Sequence, residues 1–197
     1  MIKVLRGFFK FLLSVHCKLI YGFKVEGKEN IPKEGALIFA GNHRSALDPA
    51  IIEVTSGRHA RFMAKAELKK NFIVSFIMKI FDGIYVRRGE TDIGALKESL
   101  KTLKNNECLA IFPEGTRNGF EKNNGEMKNG VAYLALKTKS IVVPIGICGK
   151  LKPFTRNVIK YGKPIDFSEI FKGEKIDKEV EEKASNILKE KILKLTK

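Results

Sequence analysis

The stretch ALIFAGNHRSALDPAIIEVTS, Ala36 to Ser56, decides the fold. Its first half is a short uncharged apolar run of the kind that forms a buried strand, and it ends at His43. Asp48-Pro49 then reads as an N-cap followed by proline at the first helical position, opening a helix over PAIIEVTS. A strand feeding a helix through a tight polar loop is the repeating unit of layered α/β proteins.

The same alternation runs outward in both directions. Upstream, FKVEG (Phe23 to Gly27) alternates as a strand does, and NIPKEG is a turn. Downstream, RFMAK reads as a strand, Leu68 to Phe81 as an apolar helical segment, and GIYVRR as a strand. Asp92 to Asn105 is a helix with Ile93, Leu96, Leu100 and Leu103 on one face. CLAIFPEGT is a strand running into a loop, and the polar, glycine-rich stretch from Asn118 to Asn129 continues that loop. Val131 to Lys137 is a helix, and IVVPIGI and VIKYGKPI are strands. Beyond Lys175, residues Ile176, Val180, Ala184, Ile187, Leu188 and Ile192 recur at helical spacing. The expectation is a single α/β domain with a central mixed, mostly parallel sheet flanked by helices. Functional residues in such folds gather at strand ends.

The first twenty residues form a separate unit. Lys3, Arg6 and Lys10 fall on one helical face, continued by Ser14 and Lys18. Val4, Leu5, Phe8, Phe9, Phe11, Leu12, Val15 and Leu19 cover the rest. A wide apolar face with a narrow basic stripe suits a helix lying in a membrane interface, the alternative being a helix packed on the domain's own core. The expected division is an amphipathic, membrane-associating helix over 1–22 and the α/β domain over 23–197. No run of about eighteen or more uncharged apolar residues occurs, so no full span is expected.

Bulk composition narrows the partners. The chain of 197 residues is 44% hydrophobic and carries 37 Lys and Arg against 22 Asp and Glu, for a net charge of +15. Such a field attracts polyanions: nucleic acid, anionic headgroups, phosphorylated substrates or an acidic carrier protein. The lysines are spread along the whole chain and no nucleic-acid-binding motif is present, which argues against a nucleic-acid binder. Three scattered cysteines, Cys17, Cys108 and Cys148, suggest neither a metal cluster nor a disulfide framework and fit a reducing cytoplasmic setting.

Three segments carry candidate chemistry. In NHRSALD, four residues separate His43 from Asp48, enough for a loop that returns the carboxylate to the imidazole. A carboxylate on one ring nitrogen fixes the tautomer and frees the other to take a proton. The alternative is a plain helix cap beside a turn histidine. No Gly-x-Ser-x-Gly elbow exists, so the nucleophile can be the substrate's own hydroxyl. FPEGTRN delivers Glu114, Gly115, Thr116 and Arg117 into a loop, with the guanidinium suited to phosphate and the glycine allowing close backbone approach. GIYVRR ends in two arginines, a further phosphate contact or a solvated strand edge.

Taken in order, NHRSALD, GIYVRR, FPEGTRN and VVPIGI resemble the four sequence blocks of the glycerolipid acyltransferase family that includes the bacterial 1-acylglycerol-3-phosphate O-acyltransferases, with Asn118 where serine is more usual. The resemblance implies that His43 is the general base and Asp48 its orienting partner. It implies that Arg87, Gly115 and Arg117 hold the acceptor's phosphate while Glu114 and Thr116 shape that site. Lys65, in AKAEL, would assist phosphate binding, and Pro144 would help form the acyl-donor side. The substrates would be a lysophospholipid acceptor and an acyl thioester of coenzyme A or acyl-carrier protein, with no metal and no organic cofactor besides the carrier. The setting would be the anionic cytoplasmic face of the cell membrane, with peripheral or monotopic attachment. Acceptors other than lysophosphatidic acid, and a lipid-binding protein without catalysis, are the rival readings.

Overall fold

The computed structural model describes residues 2–87, 92–118, 120, 127–149 and 151–197. Its centre is a seven-stranded sheet built from β1 (Lys24–Glu26), β2 (Leu37–Gly41), β3 (Ala60–Lys65), β4 (Ile84–Val86), β5 (Cys108–Ile111), β6 (Ile141–Cys148) and β7 (Val158–Tyr161). The spatial order is β1-β7-β6-β2-β5-β3-β4. Only β6 and β7 pair antiparallel; every other neighbouring pair is parallel. The sheet is mixed and mostly parallel, as the alternating pattern predicts.

Helices cover both faces. The apolar run at β2 shows why it carries no polar residue: Ile38 and Ala40 enter one core while Leu37 and Phe39 enter the other. Helices α2 (Asp48–Thr55) and α3 (Phe72–Ile80) follow β2 and β3. Helices α4 (Ile93–Lys104), α5 (Gly130–Thr138), α6 (Phe167–Ile170) and α7 (Lys178–Leu195) cover the face shared by Ile38, Leu109 and Val142. The α2 residues Ile51 and Ile52 seal the opposite face against Phe39, Val143 and Tyr161. Leu37, Ile38 and Phe39 are each wholly buried. Burial of each such side chain stabilises the fold by roughly 1.5–3 kcal/mol.

Several boundaries differ from the sequence reading, each for a local reason. β2 stops at Gly41, and Asn42 beyond it uses its side chain in place of a strand ladder, donating to Ile147 O at 2.9 Å and accepting from Ile147 N at 2.7 Å. The segment 68–81 is broken at Asn71, whose side chain caps α3 by accepting from Val74 N at 3.1 Å. A 3-10 turn, Ala66–Lys70, precedes it. Asp48 is not an N-cap: Leu47 holds that position without a side-chain cap bond, and Asp48 lies in the first turn of α2. The short α6, capped by Asp166, has no periodicity to announce it in sequence. Within GIYVRR the strand ends at Val86, and Arg88 lies outside the described residues, as does most of the stretch 118–129.

The N-terminal segment is helix α1 (Ile2–His16) followed by a π-helical turn, Cys17–Tyr21. Two cations of its basic stripe face the protein. Arg6 donates to Ile80 O at 2.8 Å and pairs with Asp82, and Lys10 pairs with Glu53 at 3.0 Å. The helix is thereby turned so that Val4, Phe8, Phe11 and Leu19 face outward, and Phe11 is 64% exposed.

Candidate active site

The candidate residues lie at the carboxyl end of the parallel strands. His43 follows β2, Lys65 closes β3, Arg87 follows β4, and Pro113 to Arg117 follow β5. Parallel strands with helical crossovers bring the loops after each strand to one edge, so segments far apart in sequence become neighbours.

His43 and Asp48 are in direct contact: Nδ1 lies 2.6 Å from Asp48 Oδ2. The same oxygen accepts the backbone N–H groups of Arg44 at 2.7 Å and Ser45 at 2.8 Å. The carboxylate, fully buried in the first turn of α2, thus organises the loop and holds the imidazole together. The Phe112 ring stacks on His43 with centroids 4.3 Å apart and planes 13° from parallel, which fixes the ring's other degree of freedom. With Nδ1 engaged, Nε2 is the nitrogen left to exchange a proton.

The loops after β2 and β5 are interlocked. Glu114, almost wholly buried, accepts the N–H of His43 at 2.9 Å through Oε1 and that of Phe120 at 2.9 Å through Oε2. Asn118 N donates to His43 O at 2.7 Å. The chain tightens at Gly115, whose φ of +67° is a left-handed conformation costly for other residues, and whose N–H donates to Phe112 O at 3.0 Å. Here the glycine serves the turn. Both oxygens of Glu114 are engaged with backbone, so its work is to hold His43 and Phe120 in register.

A cavity of about 410 Å³ opens beside His43. His43, Lys65, Thr116 and Arg117 form its polar part, and Phe62, Met63, Leu68, Ile77, Met78 and Phe81 its apolar part. Leu13 of α1 and Glu53 of α2 complete the wall. The site residues expected from sequence therefore separate into groups. Four line the cavity, and Asp48 stands behind His43. Glu114 and Gly115 shape the loop. Arg87 follows the edge strand, where its N–H donates to Asp92 Oδ2 at 2.8 Å. That bond and the one from Ala95 N hold the Asp92 carboxyl below its ordinary pKa and tie the strand end to α4. Pro144 is buried in β6, opposite Ala40, at the point where β7 gives way and only Gly162 N reaches its carbonyl, at 2.8 Å. There the missing N–H costs no ladder bond.

Three contributors were not singled out in the sequence. Asn42 and Phe112 open the motifs NHRSALD and FPEGTRN but were given no role of their own, and a polar residue ending an apolar strand was a usable signal for Asn42. Glu53 carried none, because an acid on a short helix normally faces water. Here it is 2% exposed. It accepts from Lys10 Nζ at 3.0 Å, His59 Nδ1 at 3.1 Å and Ala60 N at 3.2 Å. Burial works against the Glu53 carboxylate, but the hydrogen bond and charge of His59, with Lys10, outweigh it and hold the pKa below the ordinary glutamate value.

The sequence model of the acyltransferase family matches residues 22–148. The chain belongs to that family. A 1-acyl-sn-glycerol-3-phosphate acyltransferase of Borreliella burgdorferi is 32% identical over 68% of this chain and 54% of its own length. A probable 1-acyl-sn-glycerol-3-phosphate acyltransferase of Mycoplasma pneumoniae is 32% identical over 62% of this chain and 48% of its own length. The chain thus spans about half the length of these curated relatives. The Bacillus subtilis 1-acyl-sn-glycerol-3-phosphate acyltransferase is 30% identical over 70% of this chain and 68% of its own length. Among solved structures, the Thermotoga maritima 1-acyl-sn-glycerophosphate acyltransferase PlsC superposes with a TM-score of 0.71 at 27% identity, over 98% of this chain and 82% of that one.

Proposed function

We propose that the protein transfers a fatty acyl group from a thioester of coenzyme A or acyl-carrier protein to the sn-2 hydroxyl of 1-acylglycerol-3-phosphate, making phosphatidic acid for phospholipid biosynthesis. The observation that carries this reading is the buried Asp48 carboxylate on His43 Nδ1, beside an apolar cavity that also presents Lys65 and Arg117.

In this reading Lys65 and Arg117 neutralise the acceptor's phosphate, with Arg87 as a further cation at the same sheet edge. Thr116 and the turn at Gly115 set the height of Arg117, and Glu114 keeps that loop locked to His43. The apolar wall takes an acyl chain. Pro144 supports the sheet end behind the donor side. His43 Nε2 removes the hydroxyl proton as the oxygen attacks the thioester carbonyl. The tetrahedral oxyanion collapses, the carbon–sulfur bond breaks, and the thiolate takes the proton back from the imidazolium. Asp48 stabilises that imidazolium, and no covalent acyl-enzyme is required. Every group in this sequence is a side chain or a substrate, so the chemistry asks for no metal and no organic cofactor besides the acyl carrier.

The acceptor is a lipid, so the site works at a bilayer surface, here assigned to the cytoplasmic face of the cell membrane. Among the described residues no helix is long and apolar enough to cross a membrane. Residues 1–22 are read as the membrane-associating segment and 23–197 as the catalytic domain. Support comes from two adjacent helices, α1 and α3, whose apolar side chains face outward beside the cavity, with Phe72 83% exposed and stacked on Phe76, which in turn meets Phe9 edge-on. Apolar area of this kind buries in an interface, and the +15 charge adds attraction to anionic lipid.

The test is turnover by purified protein with lysophosphatidic acid in vesicles and a panel of acyl thioesters, read as thiol release and product mass. His43→Ala is expected to lower transfer by at least ~10²–10⁴ while thermal unfolding and vesicle binding persist. Near-normal turnover by that variant overturns the mechanism, and acylation of another acceptor in preference overturns the substrate.

A further inference from the structure

A loop on the far side of α1 has no role in the chemistry above and yet is tightly built. It runs from Leu151 to Asn157, between β6 and β7. Lys152, Pro153, Phe154, Thr155 and Arg156 are all exposed, and Phe154 is 84% exposed, more than any other large hydrophobic residue described. Its φ is +56°, the left-handed region that a bulky side chain rarely occupies without compensation.

The compensation lies beneath it. Asn157 is buried and stitches the loop into a knuckle: Oδ1 accepts from Lys152 N at 3.0 Å, while Nδ2 donates to Lys152 O at 2.9 Å and Thr155 O at 3.1 Å. The knuckle is also bonded to the π-helical turn that follows α1. Phe154 N donates to Ile20 O at 2.5 Å, and Asn157 Nδ2 donates to Tyr21 O. The chain is therefore held in a strained shape that lifts one aromatic ring into water, between two cations, at the end of the helix that exposes Phe8, Phe11 and Leu19. Nothing in the loop's own packing asks for an exposed ring.

We propose that the loop 151–157 is a second membrane-docking element, with Phe154 entering the acyl region and Lys152 and Arg156 engaging anionic headgroups. This rests on the membrane-surface reading above and deepens it. Aromatic rings at a bilayer interface flanked by basic residues bind by apolar burial and headgroup attraction together. A second copy of the chain is a poorer occupant, because facing knuckles would bring Lys152 and Arg156 against their own counterparts. Docking at both α1 and the knuckle would fix the rotation of the domain on the bilayer, since a single helix leaves it free to roll.

The chain contains no tryptophan, so Phe154→Trp creates a single fluorescent reporter. With phosphatidylglycerol–phosphatidylcholine vesicles its emission is expected to shift to the blue and to be quenched by lipids brominated on the acyl chain. Phe154→Ser is expected to lower the vesicle partition coefficient on the order of tenfold. Lys152→Gln and Arg156→Gln are each expected to lower it roughly fivefold, on anionic vesicles only. Unfolding temperature and turnover of a water-soluble short-chain acceptor stay at parental values in all three. Flotation of the reporter protein with vesicles, without any change in its emission, overturns this inference and leaves the membrane reading standing. Failure of the parent protein to float overturns both. A blue shift that grows with protein concentration in the absence of lipid, with a dimer in sedimentation, overturns it in favour of self-contact.

Discussion

Helix α2 carries two buried carboxylates, and each contacts a histidine. Asp48 meets His43 Nδ1 at 2.6 Å, and Glu53 meets His59 Nδ1 at 3.1 Å. Both acids are nearly inaccessible to water. By pair geometry alone they are alike. Their surroundings are opposite. Asp48 is otherwise held by two backbone N–H groups of its own loop, and His43 borders the cavity, stacked on Phe112. Glu53 receives Lys10 from α1, and Nε2 of His59 is buried 4.0 Å from Asp82, which itself pairs with Arg6 of the same helix. On the proposed mechanism the first pair passes a proton into the cavity that His43 shares with Lys65 and Arg117. The second is the inner part of a charge network that seats α1 on the domain. A carboxylate on imidazole is thus a positioning device, and where the second nitrogen faces decides what is positioned.

Three substitutions test that distinction. The largest effect is expected at Asp48→Asn, which leaves the shape but removes the charge that stabilises the imidazolium. Transfer should fall by about 10² or more, with KM for the acceptor little changed. Steady-state kinetics with vesicle-borne acceptor would show it, and an equal loss in Glu53→Gln would erase the contrast between the two pairs.

Glu53→Gln should instead act on α1. Loss of the charge-assisted bonds to Lys10 and His59 should cost about 1–3 kcal/mol locally, seen as faster hydrogen exchange across Ile2–His16 with the sheet unchanged. The pH dependence has a fixed sign. The folded Glu53 pKa is lowered, so its stabilisation is fully present above the ordinary glutamate value. It is lost as pH falls through the lowered folded value. Exchange in α1 of the parent protein should therefore rise in that acidic window, and in the variant it should be already high and flatter with pH.

The smallest effect belongs to Phe112→Leu. It keeps the apolar volume but removes the stack on His43, worth about 0.5–1.5 kcal/mol. A drop in kcat of several-fold with an unshifted KM would sharpen the view that the ring holds the imidazole plane. A change in KM alone would move Phe112 from positioning the base to contacting substrate.

Much of the architecture was legible because it depends on short-range pattern. A fully apolar ALIFAG has to be a strand buried on both faces, and a 3.6-residue period from Val180 to Ile192 has to be a helix on a core. What escaped depended on partners distant in sequence. Nearer by, Asp48 was legible both as a cap before Pro49 and as a partner for His43 five residues back, and spacing alone left the two readings open. Its carboxylate turned back to His43 because the loop between them closes on it. The basic stripe of α1 was read as part of an interfacial helix, yet Arg6 and Lys10 meet acids 76 and 43 residues away, which no periodicity reveals. Phe154 lies between two strands with no pattern to mark it, and only Asn157 and the turn after α1 hold it out.

The sequence by itself determined the alternation of strands and helices, the placing of Asp48 within loop reach of His43, and the arrival of cationic loops at strand ends, because spacing along the chain dictates each of them. Only the tertiary structure decided which of the two carboxylate-bound histidines lines the cavity shared with Lys65 and Arg117, that Glu114 locks the two motif loops together, and which way α1 and Phe154 face. Those follow from packing, in which buried charge finds its counter-charge across the fold and the apolar surface left without a partner is turned outward.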